Sequence, residues 1–332
     1  MQSIGDARRD GRNSGIDLFR GLLVLAVVLG HFSELTQRDS FLTWIGIGFR
    51  MPLFMGLTGY MFNLERARAL PLIALLRKYH RRLILPWIVA CIVHLTLVGQ
   101  LDWLTPVRLL VRPPFHLWFV PVMMCFIVIA AVSRRSPAAM LAIALPVSIV
   151  AMYLFGVGHG GGPPGTLIPD RRFLIYPVYF FFGMWIARRE PDPWRQRAAI
   201  VLAVISIFWW CRLYDAPALV GEVAAELISG LSLTSLLPRL RTLPFAIPPI
   251  AAVGRQSLFF YLWHPLAFGL WSGLGAAGLW MLGLSMLTLG LAGAIVARLP
   301  IAAKVLGVVP HRDRIRVPVT PGADGSLRGS IS

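Results

Sequence analysis

Acidic residues are scarce: 15 Asp and Glu stand against 32 Lys and Arg in 332 residues, leaving a formal net charge of +17. Lysine is nearly absent, with Lys78 and Lys304 alone, so the positive charge is arginine. Charged residues of all kinds make up 14% of the chain, well under the roughly 25% of water-soluble domains. Cysteine is equally thin. Cys91, Cys125 and Cys211 each lie inside an apolar run, where cysteine acts as a small hydrophobe, so neither a disulfide framework nor a cysteine-based metal spacing is present. The basic excess does not describe a nucleic-acid binder, because the arginines fall in short clusters between apolar runs and share no face. What remains is 57% hydrophobic with a mean hydropathy of +0.69. Such a composition belongs in a lipid bilayer.

About 20 apolar residues cross a bilayer. Ten such stretches lie at roughly 16–36, 42–62, 83–101, 116–133, 138–157, 172–188, 198–213, 218–237, 254–272 and 278–298. The segment "PRLRTLPFAIPP" between the eighth and ninth has room for a short interfacial element. The start of the chain has the outline of a signal peptide, with Arg8, Arg9 and Arg12 before an apolar run from Leu18. "FSELTQRDS" after His31 offers no small-x-small cleavage site, so an uncleaved span is expected. With the N-terminus inside and ten alternating spans, cytoplasmic segments hold 24 of the 32 basic residues. That bias orients the protein. The expected fold is all-α and polytopic, with about ten transmembrane helices and both termini cytoplasmic. Residues 1–15 form a cytoplasmic segment and 16–300 the membrane domain. Residues 301–332 form a cytoplasmic tail, expected to be disordered. No internal repeat is visible, and the longest outer loop is the Gly/Pro-rich "GHGGGPPGTLIPDRR".

The first span carries two costly residues, Arg20 and His31, in "FRGLLVLAVVLGHF". Eleven residues at 100° each come about 20° past a whole number of turns, so both project from one stripe. At 1.5 Å per residue they stand about 16 Å apart along the axis. Arg20 has two readings, a side chain snorkelling to the interface or one end of a polar path. His31 likewise is either a neutral interhelical hydrogen-bonding group or part of that path, since ionisable residues within spans usually line cavities. Glu34, one turn on, is placed to accept from one imidazole nitrogen and fix the tautomer, or to sit solvated at the outer mouth.

In the second span, "FRMPLFMGLTGYMF", Arg50 sits mid-membrane and must face protein or water. Pro52 is expected to break the helix ladder there, and Gly56 and Gly59 to permit close helix approach. "LRKYHRRLILPW" then gathers Arg77, Lys78, His80, Arg81 and Arg82 on the cytoplasmic side. This is either plain positive-inside topology or a phosphate site, since clustered arginines match phosphate oxygens. "FHLWFVPVMM" brings His116 and Trp118, and "SLFFYLWHPLAF" brings Tyr261, Trp263, His264 and Pro265. The His-Pro step puts an imidazole where the helix kinks and carbonyls are freed. Glu222 and Glu226 are further buried-acid candidates without an assigned role.

Taken in order, these stretches resemble the membrane-bound acyltransferase-3 family. "IDLFRGLLVLAVVLGH" is similar to its opening span, with ten residues between the Arg and the His. "FRMPLFMGLTGYMF" is similar to its "MPLFFFLSGY" segment, with Thr58 where Ser is usual, and "HRRLILPW", "LWFVPVMM" and "FFYLWHPL" resemble later motifs. The resemblance covers about residues 14–270. It implies transfer of an acyl group, usually acetyl from acetyl-CoA or another acyl-CoA, to a hydroxyl of a carbohydrate or lipid-linked saccharide. It implies His31 as catalytic base and Arg20 in the CoA channel or supporting it, and the place of Glu34 one turn beyond His31 makes it the candidate catalytic partner. Arg81 and Arg82 would contact CoA phosphates, with Arg77 and Lys78 beside them. Arg50, Trp118, Tyr261 and His264 are expected to bind substrate or line the pore, and no metal is expected. The partners implied are acyl-CoA, the saccharide acceptor and the bilayer, without nucleic acid. The preference for Arg over Lys fits GC-rich bacterial coding, and the expected location is a bacterial inner membrane.

The main alternative is a multi-span transporter of a small molecule or saccharide, which would also use a polar stripe and broken helices. The missing repeat and the one-sided arginine cluster weigh against it. A non-catalytic membrane partner is the third reading, and it requires each polar residue to be satisfied by its neighbours.

Overall fold

The structure, a computed structural model, describes residues 14–36, 40–157, 169–240 and 247–310. The expectations for residues 1–13, for the tail from 311 and for most of the Gly/Pro-rich outer loop lie outside these residues. So does the expectation for 241–246 within "PRLRTLPFAIPP". Every regular element among the described residues is helical. In order they are α1 (Ser14–Thr36), α2 (Phe41–Ile47), α3 (Arg50–Met61), α4 (Leu64–Arg68) and α5 (Leu72–Tyr79). A π-helical turn over His80–Ile84 leads into α6 (Leu85–Leu97), α7 (Thr105–Val111), α8 (Phe119–Val132) and α9 (Pro137–Phe155). Then come α10 (Arg172–Ile175), α11 (Pro177–Ile186), α12 (Pro193–Arg212), α13 (Leu219–Ser235) and α14 (Leu237–Leu240). The last are α15 (Pro248–Arg255), α16 (Ser257–Gly273), α17 (Gly278–Val296) and α18 (Pro300–Leu306).

Each of the ten apolar stretches carries helix. Five helical runs are long and apolar enough to cross a membrane: Ser14–Thr36, Leu72–Leu97, Pro137–Phe155, Leu219–Leu240 and Gly278–Val296. The outward faces agree with hydrocarbon surroundings. On α12 and α17, Val204, Phe208, Leu287 and Ile295 are all exposed, an apolar surface that water would not favour.

Two sequence expectations change in detail. The second span is two helices, broken at Gly48–Phe49, and Pro52 sits in the first turn of α3. There its missing N–H costs nothing, because first-turn N–H groups have no intrahelical acceptor. The basic cluster also does not merely precede a helix: α5, the π turn and α6 run on continuously. Pro86 offers no N–H to the Arg82 carbonyl and crowds it. The chain accommodates this by widening one turn, so that the Leu85 N–H reaches back five residues to the His80 carbonyl.

Small residues set the central packing. A Cβ on Gly59 would strike the Phe180 carbonyl, and one on Gly183 would strike the Gly56 carbonyl. The backbones of α3 and α11 therefore touch, the close approach read from Gly56 and Gly59. Around this crossing lies the main core, with Met55, Trp87, Leu117, Phe126, Tyr179 and Phe180 among its most buried members.

Candidate active site

His31 lies in the last third of α1 with its side chain 29% exposed. Its Nδ1–H donates to Glu34 Oε2 at 2.9 Å. An ionised carboxylate only accepts hydrogen bonds, so this contact puts the proton on Nδ1 and leaves the Nε2 lone pair free. The other carboxylate oxygen, Oε1, accepts from Arg50 Nη2 at 3.5 Å, and Arg50 Nη1 donates to the Ala26 carbonyl at 3.4 Å. Arg50 is itself buried. It reaches Glu34 past Gly30 of α1, where any Cβ would overlap the guanidinium, and beside Gly46 of α2.

Three more imidazoles gather here. The His31 ring stacks on His264 at 5.2 Å and meets His116 edge-on at 5.8 Å. His116 lies 5.1 Å from His264 and 5.3 Å from His94. Four of the chain's seven histidines thus form one cluster. The backbone sets two of their tautomers. His94 Nδ1 faces the Ala90 carbonyl at 2.8 Å, and His264 Nδ1 faces the Phe260 and Tyr261 carbonyls at 3.0 and 3.1 Å. A carbonyl cannot donate, so both rings carry Nδ1–H. The Tyr261 carbonyl is available because Pro265, four residues on, brings no N–H to it. The Nε2 atoms of His94, His116 and His264 are buried without a hydrogen-bond partner among the described residues. No group of three or more His, Cys, Asp or Glu there is arranged to hold a metal ion.

Tyr261 braces the cluster from below. Its hydroxyl donates to the His116 carbonyl and accepts from the Phe119 N–H at 3.2 Å. The other end of the α1 stripe is also occupied. Arg20 Nη2 donates to Ser257 Oγ at 3.2 Å at the edge of a cavity of about 210 Å³, whose walls include Thr58, Tyr79, Phe119 and Tyr261. Arg82 is close enough for its charge to act on both Arg20 and Tyr79. Arg77, Lys78, Arg81 and Arg82 are all exposed around the π turn.

The structure therefore brings His31, Glu34, Arg50 and His264 together, with Tyr261 beneath them and Arg20 at the far end of the same stripe. Trp118 stands apart from the imidazoles. It is buried, stacked on Tyr176 at 5.2 Å, and covered by the Arg172 guanidinium at 4.5 Å. Arg172 is held in turn by Asp170. Glu226 is fully buried and accepts from the Tyr179 hydroxyl at 3.2 Å, whereas Glu222 is half-buried. Sequence reasoning missed His94, whose only signal is a lone histidine in the apolar stretch "CIVHLTL". It also missed Arg172 and Asp170, which fall at the end of an outer loop and carry no motif.

The α1 stripe thus carries an imidazole–carboxylate pair at one end and a guanidinium-edged cavity at the other. Residues 13–299 match the family Acyl_transf_3, described as an acyltransferase domain. The chain belongs to that family, and its membership favours an acyltransferase over a transporter. No curated protein and no solved structure matches the chain significantly.

Proposed function

We propose that the protein moves an acyl group, acetyl by preference, from cytoplasmic acyl-CoA to a hydroxyl of a carbohydrate or lipid-linked saccharide of the envelope. The observation that carries this reading is the 2.9 Å hydrogen bond from His31 Nδ1 to Glu34, which leaves Nε2 as a free base on a half-buried ring. A hydroxyl is a poor nucleophile, and a positioned imidazole contributes roughly 10²–10⁴-fold by taking its proton. His31 Nε2 accepts the acceptor's hydroxyl proton as its oxygen attacks the thioester carbonyl. The new C–O bond forms, the C–S bond breaks, and the proton passes to the departing CoA thiolate. Glu34 keeps the imidazole oriented and stabilises the imidazolium that forms between these steps.

The donor is supported by the Arg20 end of the stripe. The exposed Arg81 and Arg82 suit CoA phosphates, and the cavity beside Arg20 suits the uncharged pantetheine arm. With the orientation expected from the basic residues, this end faces the cytoplasm, where acyl-CoA resides, and His31 faces the outer side. The acceptor would then be modified without crossing the membrane as product. The reading is tested with purified full-length protein in detergent, titrated with acetyl-CoA while CoA release is followed by a thiol reagent. Saturable release supports it, and a folded protein that neither binds CoA nor releases it contradicts it.

A further inference from the structure

Arg20, Val24, Val27 and His31 recur at intervals of four, three and four residues, so they form one stripe of α1. On α16, Ser257, Tyr261 and His264 recur at four and three and supply matching levels. Arg20 meets Ser257 at 3.2 Å at one end, and His31 stacks on His264 at 5.2 Å at the other. The middle level is different in kind. Tyr261 spends its hydroxyl on the His116 carbonyl and the Phe119 N–H, and its companions are apolar. Here lies a void of about 10 Å³ walled by Val24, Val27, Met51, Phe54, Phe119 and Tyr261. Three of these, Phe54, Phe119 and Tyr261, also line the 210 Å³ cavity at the Arg20 end. The void therefore adjoins the space that begins at Arg20 across these three side chains, and Val27 lies only about 6 Å along the helix axis from His31 at 1.5 Å per residue.

A volume of roughly 10–15 Å³ on this measure holds one group the size of a water molecule, and a water there would need two to four polar partners. These walls offer one hydroxyl, already engaged. A methyl group has the same size and needs no partner. We propose that the void is the acyl pocket, and that Met51, Phe54 and Phe119 restrict the donor to acetyl. This rests on the acyl-CoA reading above. The arm enters through the larger cavity with its acyl group leading, the methyl lodges between Val24 and Val27, and the carbonyl is left within a turn of His31. A longer chain has to part Phe54 and Phe119, which close the wall as an edge-to-face pair with centroids 5.0 Å apart and an 81° interplanar angle. One methylene too many in such a pocket is discriminated by roughly 10–200-fold.

The test is the kcat/KM for CoA release with acetyl-, butyryl- and hexanoyl-CoA, using full-length protein in detergent. Wild type should favour acetyl over butyryl by at least about tenfold. Met51→Ala, at a half-buried and adaptable side chain, should raise the butyryl-to-acetyl ratio by about tenfold, with Phe54→Ala as a second enlargement. Val27→Leu fills the void and should lower acetyl turnover without improving any longer donor. Ratios unchanged across all variants would overturn the pocket while leaving acyl-CoA turnover intact. Folded wild type that turns over none of the three donors would overturn the acyl-CoA reading, and the pocket with it.

Discussion

His31 and Glu34 stand one turn apart on α1 and are joined at 2.9 Å, and the same carboxylate is held from another helix by Arg50. In the proposed reaction the pair makes His31 a directed base. Among the described residues, the carboxylate is the hydrogen-bond partner that decides which nitrogen of this ring is left bare.

Glu34→Gln tests that direction. An amide either accepts from a protonated Nδ1 through its oxygen or donates to an unprotonated Nδ1 through its NH2, so the tautomer is no longer imposed. We expect kcat to fall by about 10²-fold, within the range attributed to a positioned base, while the KM for acyl-CoA changes little. Steady-state CoA release checks both numbers.

Gly30→Ala tests the guanidinium slot. The added methyl would occupy the position of the Arg50 guanidinium, forcing that side chain off Glu34. Overpacking of this kind costs about 1–3 kcal/mol, so the melting temperature in detergent should drop by several degrees. Turnover should fall to the level of Arg50→Gln, and the two substitutions combined should cost little more activity than either alone.

The first span was readable because Arg20 and His31 interrupt an otherwise apolar helix at a spacing that shares a face. Gly56 and Gly59 likewise announced a close helix contact, although the partner, Gly183 on α11, carried no label of its own. The imidazole cluster was not readable as a cluster. His94, His116 and His264 are single histidines in separate apolar stretches, and only the packing of α16 against both α1 and α6, with His116 between them in the turn before α8, gathers them. Trp118 was drawn toward the site by its neighbours in sequence, but Arg172 and Tyr176, which cover it, come from a distant segment. The π turn depends on where Pro86 falls relative to the Arg82 carbonyl. The sequence does show that proline, but not whether the helix stops, kinks or widens there.

Arg81 and Arg82 should serve the nucleotide portion of the donor alone. Replacing either with Gln removes a charge-assisted contact worth about 1.5–3 kcal/mol, equivalent to a KM increase of about tenfold or more. The kcat should hold within about twofold. Acetyl-pantetheine, which lacks the nucleotide phosphates, should be used equally by the variants and wild type. A matching loss with that truncated donor would place these arginines elsewhere in the mechanism.

Orientation has its own check. The orientation proposed from the excess of basic residues in alternate loops has the C-terminus in the cytoplasm. A C-terminal green fluorescent protein fusion should then fluoresce, and an alkaline phosphatase fusion at the same site should be inactive. The reverse pattern would put Arg81 and Arg82 on the wrong side for acyl-CoA.

The most direct measurement is the transfer of radiolabelled acetyl from acetyl-CoA into the lipid or polysaccharide fraction of inside-out membrane vesicles, comparing wild type with His31→Ala at matched folded protein. The account predicts label in a hydroxyl ester, released by mild alkali, and a loss of at least about 10²-fold in the variant. Undiminished transfer by His31→Ala would contradict it.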